Sequence, residues 1–67
     1  MWNNTKSGAV FTWSGLTFAH VTRDAHRGEW ALTSVDADEP ARTEHRGFFA
    51  SVDAAKRAAK SMGILPS

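Results

Sequence analysis

The stretch that most constrains this chain is Ser51-Val52-Asp53-Ala54-Ala55-Lys56-Arg57-Ala58-Ala59-Lys60-Ser61-Met62-Gly63, which carries both ends of one amphipathic helix. Ser51 is placed to act as N-cap, its hydroxyl accepting from the free amides of the first turn. Asp53 in the first turn, and Lys56, Arg57 and Lys60 toward the other end, match the helix macrodipole. Gly63 reads as the glycine just past the C-cap, Ile64 can make the apolar contact that accompanies such an ending, and Pro66 bars continuation. With about 100° of rotation per residue, Val52, Ala55, Ala58, Ala59 and Met62 share one stripe of a helix over 51–62. Asp53, Lys56, Arg57, Lys60 and Ser61 share the other side. A helix of about twelve residues is marginal alone in water, so this one persists only by lying on another element.

That element is a sheet. Leu16 to Arg23 and Glu29 to Val35 alternate, joined by the polar connector Asp24 to Gly28, whose length suits a longer hairpin loop. Asp36 to Pro40 is a second turn, and the polar Ala41 to Gly47 suits an edge strand. The expected fold class is α+β: a three-stranded antiparallel sheet with one C-terminal helix on one face. A short extra N-terminal strand is allowed for at Ala9 to Trp13, where β-branched and aromatic residues precede a Ser14-Gly15 turn. Residues 1–8 are expected to form an arm anchored by Trp2. The alanine stripe permits close approach, so the bulky set Leu16, Phe18, Trp30 and Leu32 is assigned beneath the helix, with Phe48, Phe49, Ile64 and Leu65 closing the ends. Thr17, Ala19, Val21, Ala31, Thr33 and Val35 then form a small-residue face left uncovered.

Length and composition remove whole classes. Sixty-seven residues make one domain over 1–67. A chain this short hides only about 60% of its surface on folding, which argues against a deep pocket enclosing a cofactor. There is no cysteine, hence no disulfide scaffold and no thiolate zinc site. No apolar run nears membrane-spanning length and the opening MWNNTKSG lacks a signal-peptide core, so a cytoplasmic setting without membrane contact is expected. Charged residues at 22% and hydrophobic residues at 42% suit a globular chain.

Catalytic and metal constellations are thin. His20, His26 and His45 are spread over a strand, a loop and another strand, without helical ligand spacing. Asp36, Asp38 and Glu39 lack the glycine and distal glutamate of a calcium loop and read as a solvated turn. No nucleophile elbow, phosphate-cradling glycine loop or paired-carboxylate cleft is recognisable, so no enzyme, no metal, no cofactor and no small-molecule substrate are expected. Basic residues remain. Arg23 and Arg27 flank the first hairpin, and Arg42 and Arg46 lie on the third strand, where arginines on an open sheet can enter a DNA groove. As plain structure, the same residues protect an edge and add solubility.

The order of Ala19-His20-Val21 on an alternating strand, Trp30 on the next, and Gly47-Phe48-Phe49-Ala50-Ser51 running into Asp53-Ala54-Ala55-Lys56-Arg57-Ala58-Ala59-Lys60 resembles a small β-β-β-α unit of short phage and prophage proteins. It is also distantly similar to the AP2-like N-terminal domains of phage integrases, which present a three-stranded sheet to DNA and brace it with one helix. The resemblance covers Leu16 to Met62 and implies a non-enzymatic binding module of phage or prophage type. It places DNA first as ligand of the open sheet face, with Arg23, Arg27, Arg42 and Arg46 on phosphates or base edges. The alternative is a protein-binding phage accessory factor that modulates a host enzyme or defence complex. Its partner would dock on Thr17, Ala19, Val21, Ala31 and Thr33.

Overall fold

The computed structural model describes residues 1–66. Five strands form one antiparallel meander in the order β1-β2-β3-β4-β5: β1 (Trp2–Thr5), β2 (Gly8–Trp13), β3 (Leu16–Asp24), β4 (Glu29–Val35) and β5 (Thr43–Phe49). The helix α1 (Val52–Ser61) follows and lies on one face. The α+β class with a C-terminal helix stands, but the sheet has five strands, not three. Ala9–Trp13 belongs to a full strand, and the expected arm supplies another by pairing Trp2 with Phe11 and Thr5 with Gly8. Without β1 and β2, the helix side would leave Ala19 and Val21 open toward solvent on one flank. Ala9 and Phe11 close that flank, and Trp2 packs edge-on against Phe11 with ring centroids 5.3 Å apart.

The helix ends behave as their local chemistry dictates. The Ser51 hydroxyl accepts from the Ala54 amide at 3.1 Å. At the other end Ile64 N–H donates to the Ala59 carbonyl and Gly63 N–H to that of Lys60, with Gly63 at φ 71°. These are the paired bonds of a Schellman ending. Ala55 and Ala59 are fully buried on the sheet and Val52 and Ala58 partly so, whereas Met62 projects past the sheet contact and stays exposed.

The main correction concerns β3. Ala19 and Val21, expected on the uncovered face, are buried at 0% and 1% in the same core cluster as Ala9, Phe11, Leu32, Ala55 and Ala59. Leu16, expected in the core, is exposed. For Ala19 and Val21 the cause is the first hairpin; Leu16 keeps the helix side, opposite Trp13, and is exposed because it lies past the end of the core. A five-residue connector would pair Arg23 with Glu29 and align even-numbered residues of β3 with even-numbered residues of β4. The ladder instead runs one residue further, pairing Asp24 with Glu29, Arg23 with Trp30 and Val21 with Leu32. Asp24 makes the four-residue connection 25–28 possible: its Oδ1 accepts from the amides of His26 and Arg27, and Gly28 N–H returns to the Asp24 carbonyl. A one-residue change of register sends every side chain of a strand to the opposite face.

Two bulges complete the pattern. Opposite the Phe11/Thr12 step, β3 carries one extra residue, Phe18, which returns that ring to the helix side against Phe11. Opposite Leu32/Thr33, β5 carries Arg46 as the extra residue, next to Gly47 at φ 141°. Beyond this bulge Phe49 lies opposite Trp30 and packs on the core. Phe48 lies opposite Ala31, on the uncovered face and not at the end of the core.

Candidate functional site

Cross-strand neighbours share a face, so the registers define the uncovered side as two rows spanning all five strands. One runs Asn3–Val10–His20–Thr33–His45 and the next Thr5–Gly8–Thr22–Ala31–Phe48. A further pair, Thr12 opposite Thr17, continues toward the β2–β3 turn. These rows hold threonines and two histidines; the carboxylates of this face, Asp24 opposite Glu29, stand at its edge beyond Thr22 and Ala31. Their one organised cluster joins His45 and Phe48, ring centroids 4.7 Å apart, with the Arg27 guanidinium 4.2 Å above the Phe48 ring. Of the docking set expected from sequence, Thr17, Ala31 and Thr33 lie on this face, half-buried. Ala19 and Val21 do not, because they are core.

The four arginines are not brought together. Arg27 alone reaches the uncovered face, and its Nε lies 4.0 Å from an Asp24 carboxylate oxygen. Arg23 sits opposite Trp30 on the helix side and places its guanidinium 5.4 Å from that ring. Arg42 falls in the turn before β5, where its Nε faces Glu39 at 3.7 Å. Arg46, on the bulge, donates from Nε to the Ser34 hydroxyl at 2.9 Å and pairs with Glu44 at 3.2 Å. Strand alternation on an open sheet therefore does not describe this set. Arg42 is outside the strand, and the bulge reorients Arg46.

Charge is instead segregated across the molecule. Lys6, in the turn between β1 and β2, and Lys56 line one depression of about 310 Å³ with Trp30, Val52 and Asp53. Arg23 flanks the same tryptophan, and Arg57 and Lys60 are exposed further along the helix. Lys56 Nζ donates to the Asn4 side-chain carbonyl at 3.0 Å and stands 5.6 Å from the Trp2 ring centroid, so contacts with β1 hold it over this flank. The flank from Lys6 along the helix thus carries five of the eight cations with one acid, Asp53; the other helix-side acid, Glu44, lies opposite Ser34 and pairs with Arg46. Three acids, Asp36, Asp38 and Glu39, cluster in the turn between β4 and β5. There the Asp36 Oδ1 accepts from the amides of Asp38 and Glu39 and serves the turn itself.

Sequence reasoning assigns the helix cations to the macrodipole and does not join them to Lys6 and Arg23. Their common side follows from two signals in the sequence: Lys56 and Lys60 stand one helical turn apart, and Arg23 is two residues from the buried Val21 on the same strand face. What the sequence withheld was that Val21 is core. No family model, no curated protein and no solved structure matches the chain.

Proposed function

We propose that the chain is a non-enzymatic binding module of phage or prophage type, working in the cytoplasm, whose ligand is DNA held through its phosphates by the helix flank. The observation that carries this reading is the charge segregation: Lys6, Arg23, Lys56, Arg57 and Lys60 share one flank with Asp53, while the other helix-side acid, Glu44, is paired with Arg46, and the whole chain is only +1. Affinity for a duplex depends on local cations that displace condensed counterions, and net charge is a poor guide to it. Arg42 and Arg46 have no part in this reading, and Arg27 contributes only at the margin of the uncovered face.

A flank with four excess positive charges sets the size of the effect. The slope of log affinity against log salt is about −3.6, a loss of roughly a hundredfold between 50 and 200 mM. Fluorescence anisotropy of a labelled duplex across that range tests it. A slope near zero, or no binding at micromolar protein in low salt, rules the reading out.

A protein partner on the uncovered face is the second reading, favoured by two rows of mainly small polar and apolar side chains that carry His45 and Phe48 at one side and carboxylates only at the Asp24–Glu29 edge. Thr33→Asp would then abolish capture of a nuclease-resistant partner while leaving circular dichroism unchanged. In the DNA reading the same variant leaves duplex affinity almost unaltered.

A further inference from the structure

The depression at the start of the helix holds more than cations. Lys6 lines it from the β1–β2 turn, Val52, Asp53 and Lys56 from the helix, and the half-buried Trp30 from β4. Its volume of about 310 Å³ is at the lower end of what holds one small ligand. Phosphate binding uses the lysines alone. The indole and the valine add nothing to it, and the carboxylate opposes it. Lys56 does not neutralise that carboxylate: its Nζ donates to the Asn4 side chain and stands 5.6 Å from the Trp2 ring centroid. Asp53 makes no ion pair among the described residues. Its place in the first turn suits the helix dipole, and its oxygens stay free to accept from a ligand.

We propose that this depression takes one unpaired base from the DNA that the flank holds, stacked against Trp30, with its exocyclic amino group donating to the Asp53 carboxylate. The site rests on the DNA reading and narrows its substrate to a duplex that carries a single-stranded overhang. In a duplex each base is stacked between its neighbours and shows only its edge in the grooves. An indole meets the face of a base only where that base has left the stack, which is least costly where it has no complement. Stacking on an aromatic side chain accepts any base, since every base has a π-face. The carboxylate adds a preference, because adenine and cytosine carry an amino donor and thymine has none.

The neighbouring cations suit this arrangement. Lys6 and Lys56 are at hand for the phosphates on either side of the unpaired nucleotide, and Arg23, 5.4 Å from the Trp30 ring centroid, keeps a positive charge beside the stacked rings. The second cationic depression, about 330 Å³ and holding Arg42 and Arg46, lacks these features. No aromatic residue lines it, and its two guanidinium groups already face Glu39 and Glu44.

Anisotropy at low salt with three labelled probes tests the proposal: a blunt duplex, and the same duplex with an overhang of adenines or of thymines. The adenine overhang is expected to bind about tenfold tighter than the blunt probe, and the thymine overhang less tightly than the adenine one. Trp30→Leu, which keeps an apolar side chain against the core, should erase the overhang preference with circular dichroism unchanged. Asp53→Ala should bring the two overhangs level. In a chain carrying Trp2→Phe and Trp13→Phe, the emission of Trp30 should be quenched by the adenine overhang and not by the blunt duplex. Equal affinity for overhang and blunt probes, adenine and thymine overhangs that bind alike, or emission unmoved by a bound overhang overturns the base site and leaves the DNA reading standing. Quenching by free deoxyadenosine monophosphate at the same concentration marks a nucleotide site and overturns it too. Binding of no probe removes the DNA reading and the base site with it.

Discussion

Val21 lies directly opposite Leu32 across the β3–β4 ladder, and both are buried to within 1% of completely. This pair is the centre of the fold: Leu32 belongs to the middle of β4, Val21 to β3, and the helix alanines 55 and 59 close over them. Had the first hairpin paired one residue differently, Val21 would face water and the helix would rest on His20 and Thr22.

Leu32→Ala is expected to cost about 2–5 kcal/mol, because the alanines above the site have no side-chain length with which to fill the void. A domain this small has a total stability of only about 5–15 kcal/mol at best. Urea melts followed by tryptophan fluorescence should show the midpoint collapse. A loss under about 1 kcal/mol would contradict a central role for Leu32.

Gly8→Ala should prevent folding. A Cβ at Gly8 would sit 1.7 Å from the Val21 carbonyl oxygen, and φ there is +152°. Both partners in the clash are backbone, so neither can swing aside without parting β2 from β3. Gly63→Ala is the contrast: φ is +71° but nothing lies within 4 Å, so only the left-handed backbone cost of about 1–2 kcal/mol applies. Parallel thermal melts of the two variants should separate them clearly.

Ser51→Ala removes the hydroxyl that caps Ala54 and should cost about 1 kcal/mol, while Ser51→Asp should retain the cap. Chemical denaturation of the parent chain and the two variants side by side provides the comparison. Equal stability of the parent and the Ser51→Ala variant would exclude a working cap.

Lys56→Glu and Arg57→Glu should together lower duplex affinity and flatten its salt dependence by about two contacts' worth of slope, since each change removes one phosphate-neutralising cation. Arg42→Glu should change little, because that side chain already faces Glu39 in the acidic turn, away from the helix flank. Anisotropy titrations at two salt concentrations distinguish the two cases. Equal losses from Arg42→Glu and from the helix variants would return the interface to the arginine set read from the sequence.

What can be read from the residues alone is local. Ser51, Asp53, Gly63 and Pro66 act within a turn of their own positions, and the expected helix 51–62 matches the observed element with its two caps. Alternation assigns Trp30 and Leu32 to the helix side, and they lie there. Ala31 and Thr33 lie on the uncovered face for the same reason, whereas Thr17 lies there only because the bulge at Phe18 parts it from Ala19 and Val21.

Tertiary structure decided how the strands register against one another. Alternation within β3 fixes which residues share a face, but not which of its two faces meets the helix. That choice was made by Asp24, whose side chain folds over two amides and shortens the connection to four residues, and by bulges at Phe18 and Arg46 that change parity mid-strand. It was also made by β1 and β2, whose Trp2 and Phe11 cover a flank that a three-stranded sheet would leave wet. The charge map depends on the same non-local events: Lys6, Arg23 and the helix cations are far apart in the chain and share a side only because Val21 faces inward.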